Sequence, residues 1–275
     1  MNLVWTRIEI HAGFELVSTE CVEAWFGLPF LPSKRNNNAL ATVSLMTLKL
    51  FVVRHSETFD NARGIFSGWR DSELTQKGFA QAQGIAEQLK RYQLDYAFTS
   101  HLHRARKTLE IILQYHQHIP VFIDDRLIER CYGLLQGEYK RKVAYENPDW
   151  YSQIHRGYVC VPPEGESLSM VEKRVFSFLV QLRKWLRRTP GNVVISCHGN
   201  SMRAIKRVLE DLSVEQMLQF EASQDTAAVY ELNWCNSSIE RPKEHTINPY
   251  WKGVVISRKV KLATDPRNLL GTYYC

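Results

Sequence analysis

The chain has 275 residues, of which 44% are hydrophobic and 23% charged, with a formal net charge of +6 and a pI of about 9.0. This supplies the core of one α/β domain with additions. The basic residues are spread along the chain without an aromatic-interleaved run, which argues against nucleic acid and for an anionic small substrate. No apolar run reaches the ~18 residues of a membrane span.

Six cysteines, Cys21, Cys131, Cys160, Cys197, Cys235 and Cys275, show neither a CxxC pair nor metal-ligand spacing. With no secretory signal pattern at the start, they predict a reduced, cytoplasmic protein. Residues 1–46 read as an amino-terminal extension with apolar clusters such as Ala24 to Pro32, ending in the polar break Ser33 to Asn38. Met46 stands directly before the first strand candidate. A genuine extension, a true start at Met46 and a targeting segment therefore remain three readings.

Leu48 to Val53 is a short apolar run of the kind a buried strand uses. It stops at Arg54-His55. A site often lies past the carboxyl end of such a strand. There the histidine offers a nucleophilic nitrogen and the arginine a fixed cation for a phosphate. Asn61, Phe66-Ser67-Gly68-Trp69 and Asp71 follow in a turn-rich loop. Thr75 caps a predicted helix to Arg91, whose core stripe is Phe79, Ala82, Ile85, Ala86 and Leu89.

Tyr96 to Ser100 is a second buried strand leading into Arg104 and a helix to about Tyr115, with His101 and His103 on the surface. Val121 to Ile123 is a third strand candidate, followed by Glu129-Arg130-Cys131-Tyr132-Gly133. Leu168 to Arg188 reads as an amphipathic helix with Val171, Val175, Phe178, Leu179, Leu182, Trp185 and Leu186 on its apolar side. A strand from Asn192 ends at His198, repeating the first strand's logic. A helix is predicted from Met202 to Leu212, its free N–H groups available to an anion. Ala227 to Leu232 is a last core strand, and Tyr250 to Val260 is expected to form a strand pair, with Val254-Val255-Ile256 its best candidate.

Arg54-His55, Arg104 in Ser100-His101-Leu102-His103-Arg104-Ala105, Glu129 to Gly133, and His198-Gly199-Asn200-Ser201 resemble the histidine phosphatase superfamily, most of all its cofactor-dependent phosphoglycerate mutase branch. The resemblance runs from Leu48 to Leu232. It implies an α/β three-layer sandwich with a mostly parallel central sheet and helices on both faces. A catalytic domain is expected over 47–232, flanked by the extension at 1–46 and a second one at 233–275 that packs on it or stands apart.

The resemblance also implies roles. His55 is the phosphate acceptor. Arg54, Arg104 and His198 stabilise the transferring phosphoryl group, and Glu129 moves the proton. From the residues alone, a carboxylate at a helix N-terminus, or an ion pair of Glu129 with Arg126 or Arg130, is the other reading. Substrate contacts fall to Asn61, Ser67, Gly68, Arg130, Tyr132, Lys140, Arg156, Gly199 and Asn200. 2,3-Bisphosphoglycerate is the implied primer, and no metal is expected because side chains supply the charge. The implied reaction interconverts 3-phosphoglycerate and 2-phosphoglycerate, in glycolysis and gluconeogenesis. Its partners would be small phosphorylated molecules, with no nucleic acid or membrane, and a homo-oligomer stays open.

The chain departs from the pattern in three places. Ser56 stands where the family usually has glycine, and its side chain is expected to narrow the phosphate pocket or shift His55. His155 replaces one of two adjacent arginines, leaving Arg156. Glu164-Gly165-Glu166-Ser167 resembles the corresponding motif of broad-specificity phosphatases. A phosphatase of small phosphate esters is therefore the alternative, and a non-catalytic binding protein a third.

Overall fold

The structure, a computed structural model, describes residues 46–234 and 254–259; for residues 46, 156, 233, 234 and 254–259 it describes the backbone alone. The readings for residues 1–45, the break at 33–38 and the rest of the tail lie outside the described residues.

The strands are β1 (Met46–Arg54), β2 (Tyr96–Thr99), β3 (Val121–Ile123), β4 (Val193–Cys197), β5 (Ala227–Trp234) and β6 (Val254–Lys259). They form one sheet in the order β3-β2-β4-β1-β5-β6. The pairs β3-β2, β2-β4 and β4-β1 are parallel, while β5 runs antiparallel to both β1 and β6. The tail stretch thus contributes one edge strand to the main sheet.

The helices are α1 (Phe59–Arg63), α2 (Gln76–Leu89), α3 (His103–Leu113), α4 (Lys140–Glu146), α5 (Pro148–Arg156), α6 (Leu168–Leu186), α7 (Gly199–Glu210) and α8 (Val214–Gln219). The strand period of two decides which helices pack where. Leu48, Leu50 and Val52 of β1 join one core with the apolar stripes of α6 and α7. Phe51 and Val53 face the other way, into a core with Ile85 and Leu89 of α2 and Leu109, Ile112 and Leu113 of α3. Helices on both faces of a mostly parallel sheet make the three-layer α/β sandwich. Phe66, Tyr132, Leu135, Val143 and Ile154 form a third, smaller core beneath the loops.

Two local expectations are corrected. Phe79 is 43% exposed and lies outside the core. In the first turn of α2 the inward contact belongs to Gly78, where a Cβ would meet the Glu57 carbonyl oxygen at 2.1 Å. The helix expected from Met202 starts at Gly199, directly after His198, whose extended backbone (φ −122°, ψ 171°) caps it. Gly-Asn-Ser has weak helix propensity, and a tertiary contact described below starts the helix there.

Candidate active site

Three neighbouring parallel strands end together. Arg54 pairs with Cys197 across β1-β4, and Thr99 with Ser196 across β2-β4. The next residues, His55, His198 and Ser100, therefore gather at one sheet edge, as ligand sites do in open α/β folds. The His55 N–H donates to the Cys197 carbonyl at 2.9 Å. The two imidazole centroids lie 5.1 Å apart.

His55 is 2% exposed and His198 fully buried. The His55 Nδ1 lies 2.9 Å from the Ser56 carbonyl, which can only accept, so Nδ1 carries the proton. Nε2 is left with its lone pair, the form a nucleophile needs. Burial, then the charges of Arg104 and Arg54, hold the His55 imidazole well below its usual 6.5. Burial and Arg104 do the same to His198. Both are neutral at pH 7.

Arg104 is 1% exposed. Its guanidinium donates to the carbonyls of Arg70 at 2.7 Å and Gly68 at 2.6 Å. Gly68 has φ +54°, and a Cβ there would meet Gln136 Oε1 at 2.1 Å. Glycine is therefore required for the loop to present that carbonyl. Arg54 donates to the Ala222 carbonyl at 2.9 Å. Among the described residues, three buried polar atoms of the arginines and histidine beside His55 have no partner: Arg54 Nε, Arg104 Nε and His198 Nδ1. Buried orphan donors in a native site call for a ligand acceptor.

Glu129 forms no ion pair with Arg126, which instead grips Asp124. Its carboxylate lies on the amino end of α7. Oε2 accepts from the Gly199 N–H at 3.1 Å, and Oε1 from the Asn200 N–H at 3.2 Å and Nδ2 at 3.0 Å. The anion held at this helix start is the protein's own carboxylate. Tyr132 Oη accepts from the same Asn200 Nδ2 at 3.2 Å. One cavity is lined by Arg54, His55, Asn61, Ser67, Gly68, Arg104, Glu129, Tyr132, Lys140, Gly199 and Asn200.

The model of the histidine phosphatase superfamily (branch 1) matches residues 50–241. The chain belongs to this superfamily.

Among relatives of this histidine phosphatase chain, the 2,3-bisphosphoglycerate-dependent phosphoglycerate mutase of Methylobacterium radiotolerans is 37% identical over 191 residues, 67% of this chain and 89% of that protein. The alpha-ribazole phosphatase of Shigella flexneri has a similar structure, with TM-score 0.61 and 26% identity over 68% of this chain and 91% of that one. A mycobacterial glucosyl-3-phosphoglycerate phosphatase shares the fold, with TM-score 0.63 and 22% identity over 80% of this chain and 100% of that one.

Arg130, expected on substrate, stands elsewhere. It is fully buried and donates to the carbonyls of Glu166, Ile154 and Cys160 at 2.7, 2.7 and 2.9 Å. It is the internal clamp of the loops behind the site. Arg156 ends α5, and its side chain lies outside the described residues. His198 is not among the residues that line the cavity, and its ring lies beside that of His55.

The three departures are also resolved spatially. Ser56 does not line the cavity. It has no positive φ. Its N–H donates to Thr108 Oγ1 at 3.0 Å and its Oγ to the Gln224 carbonyl at 3.4 Å. The phosphate pocket is not narrowed by it, and the carbonyl that orients His55 would be present in glycine too. His155 does line the cavity, with its ring stacked 5.1 Å from Tyr151. Glu166 and Ser167 stay off it. Glu166 pairs with Arg174 at 3.1 Å and accepts the Cys131 N–H, while Ser167 caps α6. Arg174 also donates to the Glu129 carbonyl at 3.0 Å, so this motif anchors the Glu129 loop.

Arg203, Glu221, Ile65 and Ala222 also line the cavity and were not singled out in the sequence. Arg203 lies three residues beyond Asn200, on the same helical face, a signal available once α7 starts at Gly199. Glu221, paired with Arg203 at 3.3 Å, comes from an irregular loop that carries no sequence signal.

Proposed function

We propose that the chain is a phosphoglycerate mutase, interconverting 3-phosphoglycerate and 2-phosphoglycerate through a phosphohistidine at His55. The observation that carries this is the double lining of one cavity. Arg54, His55, Arg104 and Glu129 suit phosphoryl transfer, while Asn61, Ser67, Lys140, His155 and Arg203 form a second polar set. Removing a phosphate needs the first set only. Holding a substrate carboxylate and second oxygen in register, with water kept out, uses the second. Relatives at 37% identity named as mutases support the reading.

The residues fit a phosphorylated primer, because the orphan donors Arg54 Nε, Arg104 Nε and His198 Nδ1 surround the nucleophile. When bound, 2,3-bisphosphoglycerate supplies the phosphoryl group that His55 carries. His55 Nε2 attacks phosphorus, its Nδ1–H held by the Ser56 carbonyl. Arg54 and Arg104 spread the charge on the equatorial oxygens. Glu129 gives a proton to the leaving hydroxyl oxygen and takes it back when phospho-His55 is attacked. Lys140, at the start of α4, faces the substrate carboxylate. In this reading the protein serves glycolysis and gluconeogenesis in the cytoplasm.

Hydrolysis is the second reading, favoured by His155 at an arginine position and by likeness to a phosphatase at 26% identity. The deciding measurement is the ratio of 2-phosphoglycerate to free phosphate formed from 3-phosphoglycerate by primed enzyme. The mutase reading expects 2-phosphoglycerate in excess. Free phosphate dominating at saturating substrate and primer overturns it. Lys140→Ala should raise KM for phosphoglycerate while hydrolysis of p-nitrophenyl phosphate stays within a few-fold.

A further inference from the structure

We infer that Ser100 sets the tautomer of His198 and thereby makes its single N–H a donor to the phosphoryl group on His55; this rests on the phosphohistidine reading above. Ser100 directly follows β2, whose Thr99 pairs with Ser196. That register brings it beside the end of β4. Ser100 and His198 are both fully buried. The Ser100 Oγ lies 2.7 Å from His198 Nε2, and among the described residues the hydroxyl has no other partner. His198 Nδ1 has none.

A neutral imidazole has one N–H and two places for it. With the proton on Nε2, the imidazole would donate to Ser100 Oγ. The serine hydrogen would then lack an acceptor, and Nδ1 would be a buried, unpaired lone pair. That lone pair would repel the oxygens of an anion on His55. With the proton on Nδ1, the serine hydroxyl donates to Nε2 and both of those groups are satisfied. Only the Nδ1–H remains, and a phosphoryl oxygen is the acceptor it lacks. Each unpaired buried group costs free energy, so the second arrangement wins in the empty site and again in the loaded one.

Ser100 does not line the cavity, so it acts through His198 as a positioning residue. The neighbouring Ser196 hydroxyl cannot replace it, because it donates to the Ala105 carbonyl at 2.9 Å. Burial and Arg104 keep His198 neutral, which makes the choice of tautomer matter at working pH.

The test reads the tautomer directly. In histidine-labelled whole protein, long-range proton–nitrogen correlation spectra distinguish the two forms, and His198→Gln identifies the signal. The expected pattern has Nδ1 protonated and Nε2 bare in the wild type. A proton found on Nε2 overturns the inference. Ser100→Ala should yield mixed tautomers and slow labelling by radiolabelled 2,3-bisphosphoglycerate roughly tenfold to hundredfold, less than the about 10²–10³-fold of a transition-state donor removed outright. Its KM should change little, and Ser100→Thr should recover most of the rate. An alanine variant that keeps the Nδ1–H form or the full labelling rate overturns the role. Absence of acid-labile label from the wild type would overturn the phosphohistidine reading and the role drawn from it, while the spectrum would still report the tautomer.

Discussion

Asn200 grips Glu129 twice, through its backbone N–H at 3.2 Å and its side-chain Nδ2 at 3.0 Å, both on Oε1. The Glu129 carboxylate is thus fixed by the first turn of the helix that follows His198. The Glu129 carboxylate and the paired histidines are parts of one corner of the fold.

If Glu129 protonates the leaving oxygen, its removal should matter only where the leaving group needs a proton. Glu129→Gln should slow turnover of an alkyl phosphate by roughly 10²–10⁴-fold. With p-nitrophenyl phosphate, whose phenolate leaves unaided, the loss should stay near tenfold or less. Equal losses on both esters would count against the proton-transfer role. Asn200→Ala should show the same selectivity in milder form.

Arg130 should behave as a structural residue. Its replacement by methionine leaves three carbonyls, one buried and two part-buried, without this donor. About 3 kcal/mol or more of stability should be lost, at roughly 1–3 kcal/mol per unsatisfied group. Urea denaturation measures this. A stable variant with weakened phosphoglycerate binding would restore the substrate role.

The depressed histidines make stability depend on pH. In the unfolded chain His55 and His198 titrate near 6.5. In the fold both titrate well below, from burial first and then the Arg104 charge. Between the two values the unfolded chain binds more protons. Stability is therefore fully present above about pH 6.5 and falls as pH drops toward the folded values. Urea midpoints from pH 8 to 5 should fall in the wild type and fall less in His198→Gln. The acid limb of His55 labelling should likewise lie below 6.5, since the unprotonated nucleophile persists there.

Ser56→Gly tests whether the family's usual residue would improve this site. Ser56 has no positive φ and does not line the cavity. The change keeps the carbonyl that holds His55 Nδ1 and adds chain entropy to the unfolded state. Labelling of His55 should stay within about two-fold, with roughly 0.5–1 kcal/mol of stability lost. A large gain in labelling rate would show that serine distorts the pocket.

The sequence by itself determined the strands that carry the site. Short apolar runs rich in β-branched residues, ending at Arg54-His55 and His198, suit strands buried on both faces, and the helical stripe from Val171 to Leu186 suits a helix packed on them. Arg104 and Glu129 were legible only through the resemblance of the motifs that carry them to those of the superfamily. What tertiary structure decided was where long side chains end. Arg130 was expected on substrate from the resemblance, yet three backbone carbonyls from other segments draw it inward. Ser56 looked intrusive, yet Thr108 and Gln224 turn it away. The start of α7 at Gly199 depended on a carboxylate 70 residues earlier in the chain. Glu221 reaches the cavity from an irregular loop. Periodicity reports which face of an element is buried, but hydrogen bonds between segments far apart in sequence leave no local pattern.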